Sequence, residues 1–195
     1  MALKIDLRVP GCAPASEVAS FIRECEDAGF DGVGILDSQL LERDVFVVMA
    51  VAAQATSRIR LASAVTNPVT RHVSVLASAA KSVAELAPGR VEFWLGRGYS
   101  SVRTIGVAPA KVREMRQSVL DLKRIMAGED FTYNGVTSRL QFGDAAVPPV
   151  YISATGPRAI KLAGEVADGA VLSLGVHPKA VALARELLAE GAKQA

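Results

Sequence analysis

The chain has 195 residues, half of them hydrophobic and only 5% aromatic, and it carries a formal net charge of +2. This small charge, on dispersed basic residues without interleaved aromatic residues, argues against a nucleic-acid partner. The length suffices for one sizeable core, and the abundance of alanine and valine is typical of an α/β protein with a parallel, doubly covered sheet.

The sequence shows no sign of secretion or of a membrane partner. The first residues lack the apolar segment of a signal peptide, and the longest apolar run, residues 45–53, is far shorter than the roughly 20 residues of a membrane span. The two cysteines, Cys12 and Cys25, do not make a disulfide framework, and Cys25 occupies a core position of a predicted helix. We therefore expect a cytoplasmic protein in a reducing setting.

The first half of the chain alternates apolar runs with amphipathic segments bounded by proline and glycine. We predict, in order, strand 4–9, helix 14–28, strand 32–36, helix 45–56, strand 59–66 and helix 72–87. Asp44 is positioned to cap the second helix. Because residues 45–53 are apolar on every side, we expect that helix to be buried, either within the chain or against a second subunit.

The second half continues the alternation and adds a hairpin. We predict strand 90–95, a glycine-containing loop 96–101, helix 112–126, a hairpin over 131–137, strand 150–152, helix 157–167, a buried strand 170–174 and helix 178–192. Asn134-Gly135 predicts a type I′ turn in the hairpin. The six strand–helix units, with no linker between them, predict one domain over residues 1–195, of the (β/α) barrel type.

The loops that follow the strands contain the chemically richest residues. Asp37-Ser38, Thr66-Asn67 and the segments 96–101 and 154–157 each come directly after a predicted strand. In a barrel of parallel strands these loops lie at the same end, where such proteins bind their ligands. Their shared placement predicts the functional site.

The turn after strand 150–152 is a candidate phosphate site. Thr155 predicts an N-cap, Gly156 lets the backbone approach a ligand, and Pro157 suits the first helical position. A helix that begins in this way presents free amides and the positive end of its dipole to a phosphate. An ordinary turn without a ligand has the same pattern, so both interpretations stay open.

Residues suited to nucleophilic or metal chemistry are few. His72 and His177 are the only histidines, and they lie at a helix start and in a polar loop. There is no Ser/His/Asp arrangement and no Cys/His cluster, so no metal site is expected. An enzyme tolerates this scarcity when a cofactor carries the chemistry.

Several short motifs, weak alone but specific in their order and spacing, resemble a known family. They are Val-Thr-Asn-Pro-Val-Thr-Arg-His at 65–72, Leu-Gly-Arg-Gly at 95–98 with Thr-Ile-Gly at 104–106, and Ile-Ser-Ala-Thr-Gly-Pro at 152–157 with Ala-Asp-Gly at 167–169. Together they resemble the luciferase-like monooxygenase superfamily. The most similar branch is coenzyme F420-dependent, of the methylenetetrahydromethanopterin reductase type.

The resemblance implies a TIM-type barrel with a hairpin insertion, holding a flavin or deazaflavin at the carboxyl ends of its strands. It also implies a non-prolyl cis peptide between Ala64 and Val65, behind the cofactor ring. Asp37 matches a polar residue of the ring pocket and is the candidate catalytic residue. Arg97 or Arg158 either neutralises anionic cofactor groups or is a solvated surface arginine. The implied cofactor-binding residues are Asp37, Ala64, Val65, Thr66, Asn67, Gly96, Gly98, Ala154, Thr155, Gly156 and Pro157.

The chain departs from the family pattern at the site and in length. Ser38 stands where relatives often have a histidine, and Tyr99 stands where they usually have an acid, which leaves the substrate and any general acid undefined. A TIM barrel typically takes about 250 residues and eight units, so the last two units are expected to be missing. The chain is then a fragment, a shortened relative like the non-fluorescent flavoproteins, or part of a homodimer whose chains cover each other's open sheet edges.

We therefore predict an F420- or FMN-dependent oxidoreductase that acts on a small-molecule substrate. With F420, the preferred cofactor, hydride passes between the deazaflavin and a substrate carbon. With FMN, the alternative, reduced flavin reacts with oxygen and inserts one atom into an organic substrate. The main competing hypothesis is a non-catalytic, flavin-binding or dimer-forming shortened relative. An unrelated barrel enzyme that binds sugar phosphates is the third.

Overall fold

Six parallel strands form a curled sheet, a half-barrel, in the computed structural model, which describes residues 3–143 and 147–195. The described residues contain eight strands, six in this sheet and two in a separate hairpin. They are β1 (Asp6–Val9), β2 (Gly32–Ile35), β3 (Arg60–Ser63), β4 (Val91–Leu95), β5 (Phe131–Tyr133), β6 (Val136–Ser138), β7 (Val150–Ala154) and β8 (Gly169–Leu172). The sheet order is β1-β2-β3-β4-β7-β8, and β5 and β6 form a separate hairpin. The predicted incomplete barrel with a hairpin insertion is confirmed.

The helices follow the strands of the sheet along the chain and cover one face of it. They are α1 (Ala15–Asp27), α2 (Val45–Ala55), α3 (Val73–Leu86), α4 (Ser100–Arg103), α5 (Val112–Met126), α6 (Pro157–Val166) and α7 (Pro178–Ala192). Alternate strand residues, such as Val150 and Ile152, are buried in the core that these helices share. The residues between them, such as Tyr151 and Ser153, face the concave side and are partly exposed, because side chains alternate along a strand.

The apolar helix α2 is buried within the chain along one side. Val45, Val48 and Met49 have no exposed surface, whereas Val47 is 55% exposed. The Asp44 side chain caps the helix as predicted, accepting hydrogen bonds from the N–H groups of residues 46 and 47. Within the described residues, none of the helices combines the length and apolarity that crossing a membrane requires.

The hairpin turn also follows its prediction. Asn134 has φ 51° and Gly135 has φ 79°, the left-handed pair that a type I′ turn requires. The two short strands pair in the register Phe131 with Ser138 and Tyr133 with Val136. The hairpin therefore stands outside the half-barrel as one inserted element between α5 and β7.

Three regions differ from the prediction. The strand predicted over 59–66 is instead β3, Arg60–Ser63, which ends just before the cis peptide bond between Ala64 and Val65. The buried strand predicted over 170–174 is instead β8, Gly169–Leu172, and each of its residues is partly exposed, because it pairs only with β7 in the described sheet. The loop predicted over 96–101 leads into one helical turn, α4, whose Val102 is fully buried. One turn is too short to give a periodic pattern in the sequence.

Candidate functional site

The carboxyl ends of the strands open into two adjoining cavities. The larger, of about 1220 Å³, lies between the loop after β4, the segment before α5 and the turn from β7 to α6. The smaller, of about 440 Å³, lies over the ends of β2, β3 and β4 and includes Trp94. Val65, Gly98, Tyr99 and Ser153 line both cavities. The two cavities therefore form one continuous cleft, at the end of the half-barrel where the sequence predicted the site.

The backbone after β3 enters this cleft at a cis peptide bond between Ala64 and Val65, as the resemblance implied. The segment is bonded to both neighbouring strands: the N–H of Ala64 donates to the carbonyl of Ile35 at 2.6 Å, and the N–H of Thr66 donates to that of Trp94 at 3.0 Å. Ala64 lines the smaller cavity and Val65 lines both. Hydrogen bonds to β2 and β4 therefore hold this segment in place where the two cavities join.

Two predicted glycines of the loop after β4 are required by close packing. A Cβ at position 96 would lie 2.6 Å from Cγ2 of Val65, and a Cβ at position 98 would lie 2.6 Å from Cγ1 of Val102. Gly98 also has a φ of +82°, which favours glycine. Both glycines line the cleft, so the structure brings them together with Val65.

Thr66 and Asn67 lie behind the cleft, outside its lining, and both are fully buried. The Asn67 amide donates to Oγ of Ser101 at 3.0 Å, and its carbonyl oxygen accepts the N–H groups of Val69 and Thr70, both at 3.0 Å. These bonds fix the loop that follows β3 against α4. In the described structure Asn67 thus organises the loop, and its side chain does not reach the cavities.

Asp37 lines the smaller cavity and is only 5% exposed. Nη1 of Arg71 lies 2.5 Å from Oδ2 of Asp37, and Nη2 of the same guanidinium lies 2.8 Å from Oδ2 of Asp44. Burial alone would lower the pKa of Arg71, but its bonds to Asp44 and Asp37 raise it above the ordinary value. Asp37 therefore meets a fully charged arginine inside the protein.

The loop after β2 is tied to α4 on the opposite side of the smaller cavity. Oγ of Ser38 lies 2.5 Å from Oγ of Ser100, and the Gln39 amide donates to the carbonyl of Ser101 at 2.6 Å. Ser38, at the position where the resemblance implied a histidine, is thus engaged with α4. The neighbouring Tyr99 is 72% exposed, and its hydroxyl accepts a hydrogen bond from Arg103 at 2.7 Å.

The turn from β7 to α6 forms the far end of the larger cavity, and Ala154, Thr155, Gly156 and Pro157 all line it. Pro157 is the first helical residue, as predicted, but the N-cap is Gly156 and not Thr155, and no side chain caps the helix. Proline forces the residue before it into an extended conformation, and Gly156 has φ −115° and ψ 156°. The prediction for Thr155 was therefore wrong by one residue.

Positive charge dominates the larger cavity. Arg97, Lys111, Arg113 and Arg158 line it, and its described lining contains no carboxylate. None of these four side chains forms an ion pair within residues 3–143 and 147–195. Four unpaired cations beside an uncapped helix N-terminus are suited to bind an anionic group.

Lys111 and Arg113 were not among the predicted site residues. The sequence contained one signal for them, because both lie where the long helix α5 begins. Positive side chains are unfavourable at a helix N-terminus, so two of them there indicate another role. Because Lys111 and Arg113 do not directly follow β4 or β7 in the sequence, the sequence did not place them in the cavity at the ends of these strands.

The two histidines have structural positions at the beginnings of helices. His72 and His177 occupy the N-cap positions of α3 and α7, where each ring accepts a backbone N–H. Neither lines the two cavities. In the part of the chain that the structure describes, no three His, Cys, Asp or Glu residues lie close enough to hold a metal ion.

Comparison with known proteins identifies the family and the fold of the chain. The model of the luciferase-like monooxygenase family matches residues 4–195. The chain is 33% identical, over 190 residues, to a 5,10-methylenetetrahydromethanopterin reductase of Methanolobus tindarius, covering 93% of this chain and 57% of the relative. It is 31% identical, over 168 residues, to an F420-dependent glucose-6-phosphate dehydrogenase of Beutenbergia cavernae, covering 77% and 50%. The chain thus spans about half the length of the curated relatives it matches.

A solved structure gives the same fold. The coenzyme F420-dependent tetrahydromethanopterin reductase of Methanopyrus kandleri superposes with a TM-score of 0.81 at 24% identity, covering all of this chain and 62% of the other. At this identity the likeness shows the fold alone. It matches the half-barrel described above.

Proposed function

The chain belongs to the luciferase-like monooxygenase family, and we propose that it is an oxidoreductase that binds F420, with FMN as the alternative, and acts on a small organic molecule. The observation that carries the proposal is the continuous cleft. One part is walled by Asp37, Ala64 and Trp94, and the other ends at a helix N-terminus among four cations. Such a cleft suits a ligand with a planar head and an anionic tail.

In the proposed arrangement, the ring lies against the cis peptide of Ala64 and Val65, next to Gly96 and Gly98. The phosphate lies at the turn formed by residues 154–157, where free amides and the helix dipole favour an anion. Thr66 and Asn67 contribute through the loop that they hold, and not by contact. Of the residues that the resemblance implied, those that line the cleft would contact the cofactor, and Thr66 and Asn67 would hold the loop behind it.

The cations favour F420 over FMN. F420 carries a phosphodiester and carboxylates, whereas FMN carries a single phosphate, and four unpaired cations line the larger cavity. The F420-dependent dehydrogenase similar to this chain supports the same preference. When bound, F420 supplies hydride chemistry at its ring, and FMN supplies oxygen chemistry. The chain's own residues bind the tail, orient the ring and shield one ring face from water.

Fluorescence of the only tryptophan tests the proposal, because Trp94 lines the smaller cavity. Titration with F420, FMN and riboflavin is expected to quench Trp94 with affinity in the order F420, FMN, riboflavin, since riboflavin lacks the phosphate. Absence of quenching by all three, confirmed by equilibrium dialysis, contradicts the proposal. Loss of F420 absorbance with hydride donors, or oxygen consumption with reduced FMN, then separates hydride transfer from monooxygenation.

Binding without turnover is the second candidate function. The observation that favours it is that Asp37, the acidic group of the smaller cavity that matches the family's ring pocket, already pairs with Arg71, and Ser38 is engaged with α4. Tight binding of either cofactor with neither hydride transfer nor oxygen consumption supports this alternative. Turnover in either assay excludes it.

A further inference from the structure

A buried ion pair joins the loops after β2 and β3. The Asp37 side chain is 2% exposed and the Arg71 side chain 15% exposed, and the two lie 34 residues apart in the sequence. Arg71 does not line either cavity of the cleft, whereas Asp37 does. The arginine therefore contacts the carboxylate from the protein side, and a ligand in the cleft meets only the aspartate.

The position of Arg71 is fixed by two further contacts, one of them to a ring that is itself packed on a second ring. Its other terminal nitrogen bonds to Asp44, the N-cap of α2. Its guanidinium carbon lies 5.2 Å from the ring centroid of Phe46, and that ring stacks on Phe93 at 5.7 Å. The planar guanidinium thus has one defined orientation, which is the property that distinguishes arginine from lysine at such a site.

The pairing leaves one oxygen of Asp37 available to a ligand. Oδ2 accepts from Arg71, while Oδ1 has no hydrogen-bond donor among the described residues. The other charged residues of the smaller cavity are Arg8 and Glu42, and Glu42 accepts the N–H of Gly11. Both carboxylates of this cavity are thus bonded through one oxygen, and Asp37 is the one that a charged side chain holds in place.

We propose that Arg71 is a positioning residue, which holds the Asp37 carboxylate in one orientation, so that Oδ1 accepts a hydrogen bond from an N–H or O–H group of the bound cofactor or substrate. The inference rests on the proposed function, since it concerns the same cleft. It also couples the loop after the cis peptide to the loop after β2.

Arg71→Met and Arg71→Lys test the role, with Arg90→Met as the matched control. Arg90 donates to the carbonyls of Ala53, Thr56 and Ile59 and lines neither cavity, so its loss reports on stability alone. Arg71→Met is expected to weaken cofactor binding by about tenfold or more. Arg71→Lys is expected to restore part of the affinity, and Arg90→Met is expected to lower the melting temperature without changing the affinity.

A double-mutant cycle then tests whether Arg71 acts through Asp37. If Arg71 acts through Asp37, the variant carrying Arg71→Met and Asp37→Asn binds the cofactor no more weakly than the weaker single variant. Additive losses, or an Arg71→Met affinity equal to that of the wild type, overturn the proposal. Parallel losses of affinity in Arg71→Met and Arg90→Met also overturn it, because they indicate a general loss of structure.

A crystal structure of cofactor-free Arg71→Met keeps the inference separate from the proposed function. The Asp37 carboxylate is expected to leave its present position, which the arginine defines at 2.5 Å. A carboxylate that stays in place overturns the positioning role, whatever the protein binds. If wild-type protein binds neither F420 nor FMN, the proposed function fails, and this crystal structure still decides whether Arg71 positions Asp37.

Discussion

Val65 occupies the space that a side chain at position 96 would need: a Cβ on Gly96 would lie 2.6 Å from Cγ2 of Val65. At this distance either the Val65 side chain or one of the two backbones has to shift. Val65 follows the cis peptide and lines both cavities. The pair therefore controls the shape of the cleft where the two cavities join.

Gly96→Ala is expected to displace Val65 and to weaken cofactor binding by about tenfold, with a loss of stability of about 1–3 kcal/mol from overpacking. Adding Val65→Ala to the same chain removes the atom in contact and is expected to restore much of the stability. Thermal unfolding and cofactor titration of the single and double variants measure both effects. An equal stability of Gly96→Ala and wild type contradicts the packing described here.

The cations of the larger cavity give a second prediction. Replacing Lys111 and Arg113 together by alanine is expected to weaken F420 binding by about tenfold or more, and to reduce its dependence on salt, because fewer charges attract the anionic tail. Arg124, on the same helix but paired with Glu129 on the surface, is the control, and Arg124→Ala is expected to bind as the wild type does. Equal affinities of all three proteins at low salt would show that the tail lies elsewhere.

Glu26 gives a third prediction, at the opposite end of the strands. Its buried carboxylate accepts the backbone N–H groups of Ser57, Arg58 and Ile59 at 2.7–3.1 Å. Burial alone would raise the pKa of Glu26, but the hydrogen bonds lower it from 4.5 to about 2. Because the folded-state pKa is the lower one, the carboxylate stabilises the fold above about pH 4.5, and this stabilisation is lost as the pH falls towards 2.

Glu26→Gln is therefore expected to lower the free energy of unfolding by about 1–3 kcal/mol at neutral pH. The difference from the wild type should shrink between pH 4.5 and 2. Urea unfolding of both proteins over this range measures it. Glu129→Gln, at an exposed ion pair, serves as the control. A difference that stays constant down to pH 2 would contradict the role given to the backbone N–H groups.

The contact between α6 and α7 gives a fourth prediction. A Cβ at Gly164 would lie 2.1 Å from the carbonyl oxygen of Leu188. In an unconstrained helix, glycine to alanine stabilises by up to about 1 kcal/mol, but here Gly164→Ala is expected to destabilise by about 1–3 kcal/mol. Gly156→Ala, with no atom within 4 Å of the added Cβ, is the control for thermal unfolding; it alters only an N-cap and is expected to destabilise less than Gly164→Ala. A melting temperature of Gly164→Ala above that of the wild type would refute the close packing.

The half-barrel itself could be predicted because its pattern is local. Strand β7, for example, is a short, largely apolar run after Pro148 and Pro149, and the turn at Asn134 and Gly135 follows from two residues alone. The helix of residues 178–192 has the bounds that its sequence predicts. The cis peptide at Ala64 was predicted from the resemblance, because nothing in the local pattern indicates it.

The parts that could not be predicted depend on distant residues. Nothing in the sequence pairs Asp37 with Arg71, because the geometry that joins them is set by packing on Phe46. Asn67 has the polarity of a ligand contact, yet its bonds to the following loop and to Ser101 turn it away from the cleft. A motif identifies which residues gather at the strand ends but not which of them face the cavity.

A crystal structure with bound F420 tests the central claim most directly. The ring is expected against the peptide between Ala64 and Val65, within reach of Oδ1 of Asp37, and the phosphate is expected at the N–H groups of Thr155, Gly156 and Arg158. A cofactor bound with its ring away from Val65, or with its phosphate remote from the beginning of α6, would contradict it.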